Sequence, residues 1–184
     1  LMMLFLLGIA QTTSAYTVVN NAHDGVHDGM ADRMQAIATK AAEQGLPEAQ
    51  CNMGVLFEQG RGVTRDAAEA LSWYRRAAEA GDANAQFNAG RMLAEGIGVA
   101  WDNREAVRWY RKAADRGHIG GRYNLALMLA QGLGAERDEP EAARLFTLAA
   151  EAGDARAGCN LGLMYSEGRG VERDPAGASP GPMP

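Results

Sequence analysis

Several residue types are scarce in this chain of 184 residues, and their scarcity excludes whole classes of protein. Two cysteines are too few for a disulfide framework, and six prolines are too few for a collagen-like chain. Aromatic residues make up only 7%, so the core must be built from small side chains packed closely. The net charge of −5 argues against a nucleic-acid groove, which needs clustered Lys and Arg to displace counterions. With 47% apolar residues, the chain is too hydrophobic to be disordered.

The first 22 residues carry no charge, and the apolar run that opens them is short. Ten apolar residues span about 15 Å as a helix, half of what the core of a bilayer requires. Small residues follow, with an acceptable cleavage site ending at Ala15, so we predict a secretory signal peptide over residues 1–15. A buried N-terminal helix is the alternative. The signal peptide predicts export to the periplasm or the medium, with a membrane contact only if the segment stays uncleaved.

Two further segments are predicted to lie outside the fold. Residues 16–29 have the composition of a linker and contain a tandem His-Asp-Gly motif that starts at His23 and His27. Two His and two Asp at this spacing would hold a transition metal only in an ordered segment, so we expect a solvated linker, no metal site and no cofactor. Residues 175–184 contain four prolines and two glycines, which exclude a helix and indicate a tail.

A period of 36 residues dominates the chain between these ends. Residues 45–80 and 81–116 share 16 identities in 36 positions without an insertion. Residue types that recur at this spacing are Gly45, Gly81, Gly117 and Gly153; Asn52, Asn88, Asn124 and Asn160; and Asp66, Asp102, Asp138 and Asp174. The period defines a repeat array over residues 30–174, with full units 45–80, 81–116 and 117–152 and half units at both ends.

Each unit has the pattern of two helices joined by a glycine-containing loop. Apolar residues recur at helical spacing at Ala49, Met53, Leu56 and Phe57 in the first helix and at Ala70, Trp73, Tyr74, Ala77 and Ala78 in the second. Gly60 and Gly62 can adopt the positive φ where the first helix stops. Asp66 is placed to cap the second helix, with Glu69 able to reach back. The chain is therefore predicted to be all-α, built from helix-turn-helix repeats.

A glycine recurs inside the first helix, at Gly54, Gly90 and Gly162. Such a glycine costs about 0.5–1 kcal/mol relative to alanine. Its recurrence predicts that a neighbouring helix packs there, with Trp73 or Trp109 as the expected contact. Residues 30–44 match the second helix alone. The array is thus predicted to hold eight helices, beginning on a lone second helix and ending on a lone first helix, as solenoid caps do.

The sequence Ala-Gln-Cys-Asn-Met-Gly-Val-Leu-Phe-Glu-Gln-Gly-Arg-Gly-Val over 49–63, with Trp-Tyr-Arg-Arg-Ala-Ala-Glu-Ala-Gly over 73–81, resembles the Sel1-like repeat, a relative of the tetratricopeptide repeat. The resemblance covers residues 30–174. It implies a right-handed α-α superhelical solenoid of 36-residue helix-turn-helix repeats that acts as an adaptor, often in exported bacterial proteins. The third unit departs from the pattern with Ala126 and Leu145-Phe146, which alters packing locally.

The candidate binding surface starts from the four recurring asparagines. Each amide either satisfies backbone groups between neighbouring helices or, as the resemblance implies, faces the concave groove and hydrogen-bonds an extended peptide. Three residues after each asparagine the residue type varies, so this position is expected to be exposed. The predicted partner-binding residues are Asn52, Val55, Asn88, Arg91, Asn124, Leu127, Asn160 and Leu163. Glu48, Glu58, Asn84 and Arg156 would extend a mixed groove, and an ordinary solvated face is the alternative.

Cys51 and Cys159 occupy the same repeat position, three repeats apart. Helix layers about 10 Å apart would separate them by roughly 30 Å. A disulfide needs Cα atoms within about 7 Å, so the two cannot pair within one molecule. Burial of both thiols is expected, and a link between molecules is the alternative.

No motif supports catalysis. The chain lacks Ser-x-x-Lys, His-Glu-x-x-His, Gly-x-Ser-x-Gly and a Walker loop, and His118 stands alone at a helix start. We therefore predict a non-enzymatic scaffold, without catalytic residues, that binds a peptide or protein segment on its concave face and no nucleic acid. The main alternative is a structural module that assembles through its terminal helices. A weak β-lactamase-like hydrolase is a distant alternative, because some exported Sel1-like proteins carry that label.

Overall fold

The computed structural model describes the backbone of residues 28–171 and the side chains of residues 36–171. The predicted signal peptide over 1–15, the motif at His23, most of the linker and the tail over 175–184 lie outside the described residues. The described part contains eight α-helices and no strand. They are α1 (Asp28–Glu43), α2 (Pro47–Gln59), α3 (Ala67–Glu79), α4 (Ala83–Glu95), α5 (Asn103–Asp115), α6 (Ile119–Gln131), α7 (Glu139–Glu151) and α8 (Ala155–Glu167). The predicted fold class, an all-α helical repeat solenoid, is confirmed.

The described chain falls into two compact units that divide between Ala85 and Gln86, in the first turn of α4. The first unit holds α1, α2 and α3, and the second holds the rest of α4 together with α5 to α8. Helix α1 begins at Asp28, two residues before the predicted start of the array. None of the eight helices is both long enough and apolar enough to cross a bilayer.

The helix ends lie where the recurring residues predict them. A carboxylate oxygen of Asp66 accepts hydrogen bonds from the backbone nitrogens of Ala68 and Glu69, both at 3.0 Å. Gly60 ends α2 in the left-handed conformation, with φ +68°, where a side chain would be strained. Asp102 and Asp138 cap α5 and α7 in the same way as Asp66 caps α3. Each repeat therefore carries its own start and stop signals.

The core of the first unit is the predicted apolar face. Met53 and Trp73 are buried against Ala42 and Ala49, and the half-buried side chains of Leu56 and Phe57 pack on them, together with Ala38 and Ala41. The exception is Ile37 on α1, which is 49% exposed although its spacing predicts a core position. The pattern of small residues and single large side chains accounts for the low aromatic content.

The partner of the recurring mid-helix glycine is a tyrosine, so the prediction that Trp73 or Trp109 fills this space is wrong. A Cβ atom added to Gly54 would lie 2.6 Å from the Tyr74 ring, and one added to Gly90 would lie 2.8 Å from the Tyr110 ring. One residue along a helix turns a side chain by about 100°, which separates the tryptophan from the tyrosine that follows it. Trp73 instead lies under the Arg76 guanidinium, 4.6 Å from its ring centre.

Candidate functional site

The eight predicted binding residues all lie on the first helices of the repeats, but most of them are covered. Asn52 and Val55 lie on α2 in the first unit; Asn88 and Arg91 on α4, Asn124 and Leu127 on α6, and Asn160 and Leu163 on α8 lie in the second. Only Leu163 is exposed, at 58%. Val55, Arg91 and Leu127 are half-buried, so the expectation that this position is exposed is wrong for three of four repeats.

Leu127 and Leu163 differ in the helices that follow them. Helix α8 packs beside α6, with the Asn160 amide nitrogen 3.3 Å from the Tyr123 hydroxyl. In the part of the chain that the structure describes, no first helix follows α8, and Leu163 therefore stays open. The same repeat position thus has a different exposure wherever its neighbouring helix differs.

Asn124 and Asn160, both in the second unit, hydrogen-bond within the fold. Asn124 hydrogen-bonds the Tyr110 hydroxyl on the preceding second helix. Asn160 has Phe146 at the corresponding position, which lacks a hydroxyl, and its amide donates to the Tyr123 hydroxyl and to the Arg156 carbonyl oxygen at 3.0 Å. Each of these two amides therefore contacts a tyrosine hydroxyl of another helix, while contact with a bound peptide stays a prediction.

The Tyr110 hydroxyl beside this row remains protonated at neutral pH. Burial raises the pKa of Tyr110 to about 12, and the hydrogen bond from Asn124 acts in the opposite direction. In the first unit, the Tyr74 hydroxyl donates to a Glu58 carboxylate oxygen at 2.9 Å. Glu58, predicted to be a groove charge, is therefore already bound by the fold. On α4, the Arg91 guanidinium lies 3.6 Å from a Glu95 carboxylate oxygen.

A recurring contact between first helices was not predicted from the sequence. In the second unit, the Phe87 ring stacks on the His118 ring at 4.6 Å between centres. His118 is the N-cap of α6, where its Nδ1 accepts a hydrogen bond from the Gly121 nitrogen at 3.0 Å. One repeat further, Tyr123 lies under the Arg156 guanidinium at 4.3 Å. The residue at this position therefore packs on the start of the next first helix, which explains why its type varies with the residues found there.

Cys51 occupies the same position in the first unit. Burial, then the charge of Asp82 and a hydrogen bond to it, raise the pKa of the Cys51 thiol to about 12. Asp82 in turn accepts from the Ala85 nitrogen at the start of α4, at 2.6 Å. Cys51 is buried as expected, but Cys159 is exposed, so the prediction of burial is wrong for Cys159. Cys159 lies on α8, where no described first helix covers it.

The difference in exposure between the two cysteines predicts that alkylation of the folded protein is selective for Cys159. At pH 8 only about one in 10⁴ Cys51 thiols is ionised, and the thiolate is the reacting species. We expect iodoacetamide to modify Cys159 completely within minutes and to leave Cys51 unmodified, as read by intact mass. Cys159→Ser should gain no adduct until urea unfolds the chain. Rapid alkylation of the folded Cys159→Ser variant would show that Cys51 is accessible.

The described residues offer no constellation for metal chemistry. Among residues 36–171, whose side chains the structure describes, no three His, Cys, Asp or Glu side chains come together as metal ligands. His118 is explained by its capping bond at the start of α6. The candidate site remains the row of positions on the first helices around the four asparagines.

Comparison with known proteins identifies the repeats. The family model described as Sel1 repeat matches residues 47–82, 83–118, 121–154 and 155–178. These matches cover most of the array, and the first two follow one another at a spacing of 36 residues. Among curated proteins, none matches the chain.

Several solved structures share this fold. A Sel1 repeat protein from Oxalobacter formigenes is 33% identical over 90% of this chain, with a TM-score of 0.77, and the match spans 64% of that protein. The protein c5321, a protective antigen of uropathogenic Escherichia coli strains with an SLR fold, is 35% identical over 91% of this chain, with a TM-score of 0.80. The match spans only 36% of c5321. Cysteine-rich protein B of Helicobacter pylori, at 23% identity and a TM-score of 0.51, shares the fold alone.

Proposed function

The chain belongs to the Sel1 repeat family, and from that premise we propose that it is a non-enzymatic scaffold that binds a peptide or protein segment along its first helices. Sel1 repeat proteins generally mediate protein–protein interaction. The finer proposal is that the bound segment lies on the face carrying the asparagine row. Export from the cytoplasm is part of the proposal, supported by the uncharged opening of the sequence.

The observation that carries the proposal is the exposed side chain of Leu163, 58% accessible on α8 beside the Asn160 amide. A long apolar side chain next to an amide gives a peptide both buried area and a hydrogen-bonding group. Leu127 and Arg91 hold the corresponding position on α6 and α4, half-buried but not closed. Affinity in the proposed complex comes from the leucines, and Arg91 selects a segment with a carboxylate near one end.

An assembly module is the second candidate, and one observation favours it. Apolar side chains are exposed on the first and last described helices, Ile37 on α1 at 49% and Leu163 on α8 at 58%. Such side chains would be covered if the helices packed against another copy. In that case, mass would rise with concentration and the surface along the first helices would stay empty.

The test is capture of crosslinked partners from an exported fraction by the full chain. We expect Arg91→Glu combined with Leu163→Asp to lower partner recovery at least tenfold, because both changes lie on the proposed surface. The matched control is Arg108→Glu combined with Leu46→Asp, the same two changes on a second helix and on a loop, where Leu46 is 40% exposed. Circular dichroism must show that all three proteins fold.

The outcomes separate the candidates. Recovery by the parent and the control, but not by the surface variant, supports the proposal. Equal recovery by the surface variant overturns it. Recovery of the chain itself alone, with a mass that grows with concentration, replaces it with the assembly module.

A further inference from the structure

The loop of the second repeat differs chemically from the loops of the other repeats. Before its capping aspartate it reads Gly-Ile-Gly-Val-Ala-Trp, without a charge, whereas the other three end in arginine at the position of the tryptophan. That tryptophan, Trp101, is 72% exposed, while Trp73 and Trp109 are each only 7% exposed. A large aromatic side chain left open on the surface marks a contact site more often than a smaller residue does.

In the third and fourth loops, the side chains around the position equivalent to Trp101 are charged and form ion pairs. Arg137 and Arg169 both bind the carboxylate of Glu139, with Arg169 Nε 2.8 Å from it. Arg169 lies in the next loop, and a Cβ added to the neighbouring Gly170 would press on the backbone of Glu139 and lie 2.7 Å from the Pro140 nitrogen. The loop that carries Arg169 thus stacks on the start of α7, the second helix of the repeat before it.

One repeat earlier, the same three positions are occupied by Trp101, Asn103 and Leu133. The stacking is also the same, since a Cβ on Gly134 would press on the Asn103 carbonyl and lie 2.9 Å from the Arg104 nitrogen. Leu133 is 42% exposed. The ion cluster of Arg137, Glu139 and Arg169 thus has an uncharged counterpart one repeat earlier. This counterpart consists of an exposed tryptophan, an exposed leucine and an asparagine amide. We call these three residues the loop-edge surface.

An uncharged aromatic surface with a nearby amide suits a proline-rich segment. Proline rings pack on the faces of aromatic side chains, and the extended polyproline conformation leaves backbone carbonyls free to accept hydrogen bonds. The Trp101 indole nitrogen and the Asn103 amide can donate such bonds. The chain itself contains one such segment, Pro-Ala-Gly-Ala-Ser-Pro-Gly-Pro-Met-Pro over residues 175–184, which carries no charged side chain.

The position and length of this segment allow it to reach the loop-edge surface. It follows the loop 168–171, which stacks on the start of α7 at Glu139 and therefore lies on the same edge as Leu133 and Trp101. Two repeats along that edge correspond to about 20 Å, at about 10 Å per helix layer. Nine residues can span about 28 Å when extended, so the length of chain from 172 to 180 is sufficient to bring Pro180, Pro182 and Pro184 within range. We propose that residues 175–184 of this chain bind the loop-edge surface and cover Trp101.

The test uses iodide quenching of tryptophan fluorescence in the full chain. The emission of Trp101 is isolated as the difference between each protein and its Trp101→Arg counterpart, because Trp73 and Trp109 are buried in both. We expect the Trp101 quenching constant to rise at least twofold when Pro180, Pro182 and Pro184 are replaced by serine. A synthetic peptide of residues 172–184, added to that serine variant, should restore the protection.

The matched control is Trp101→Arg combined with Leu133→Arg. It gives the second and third loops the residues that other repeats carry at these positions, such as Arg65, Arg137 and Arg61, so the fold is retained. A fluorescently labelled peptide should bind this control at least tenfold more weakly than it binds the serine variant.

Two results would overturn the proposal. Equal quenching of Trp101 in the parent and the serine variant shows that the segment does not cover it. Protection of the serine variant that increases with protein concentration shows that a second copy of the chain is the occupant. Neither result bears on partner capture along the first helices, so failure of the loop-edge contact would leave the proposed function standing.

Discussion

Replacing Gly134 by alanine is expected to lower the free energy of unfolding by about 3–5 kcal/mol, the largest single effect in the described repeats. Gly134 has φ +73°, a conformation that costs an L-residue about 1–2 kcal/mol. Steric overlap costs more than this backbone strain. The added Cβ would press into the Asn103 carbonyl and lie 2.9 Å from the Arg104 nitrogen. These are backbone atoms at the start of α5, which cannot rotate away as a flexible side chain would.

Gly153→Ala is the matched control. Gly153 has φ +98°, but a Cβ added there meets nothing within 4 Å. We therefore expect a loss of only about 1–2 kcal/mol, from backbone strain alone. Urea unfolding followed by circular dichroism measures both changes. Equal losses would mean that the close approach of the loop to α5 contributes nothing, and would remove the stacking on which the loop-edge surface depends.

The helices and their ends were predictable from the sequence because their causes are local. Asp66 caps α3 through the nitrogens of the next two to three residues, and Gly60 ends α2 through its own φ. Neither depends on which helix lies nearby. Repetition of these signals every 36 residues made them recognisable from one chain, which is why the fold class and the helix order followed from the sequence.

For the candidate site, the helices that carry it were predictable from the sequence, but the exposure of their side chains was not. Leu127 and Leu163 share a repeat position, as do Cys51 and Cys159, yet one member of each pair is covered and the other is exposed. Exposure depends on the neighbouring helix, and a repeat pattern read from one sequence treats every copy as having the same neighbours. The prediction that a tryptophan packs beside Gly54 was wrong for a related reason. Adjacent positions differ by about 100° on the helix, and composition alone does not choose between two neighbouring aromatic residues.

Replacing Gly90 by alanine is expected to lower the free energy of unfolding by about 1–3 kcal/mol, although alanine is the better helix former by about 0.5–1 kcal/mol. The added Cβ would lie 2.8 Å from the Tyr110 ring. That ring has little freedom to move, because it is 2% exposed and its hydroxyl is hydrogen-bonded by Asn124. The overlap therefore outweighs the gain in helix propensity.

The third repeat shows how this position can accommodate a methyl group. It carries Ala126 in place of the glycine and Phe146 in place of the tyrosine, and both are buried. A phenylalanine has no hydroxyl to be held by a hydrogen bond, so we expect its ring to shift more readily than the ring of a hydrogen-bonded tyrosine. We therefore expect Tyr110→Phe to relieve part of the loss in the Gly90→Ala background, with a coupling free energy of about 1 kcal/mol in the double-mutant cycle.

Gly162 tests helix propensity without the ring contact. It occupies the same repeat position, and a Cβ there would meet none of the described residues within 4 Å. Gly162→Ala should therefore stabilise the chain by about 0.5–1 kcal/mol. Opposite signs at Gly90 and Gly162, together with coupling to Tyr110, would establish that the glycine is present to admit the anchored tyrosine ring. Stabilisation at both positions would show that the ring yields without resistance. The recurrence of the glycine would then need a cause outside this contact.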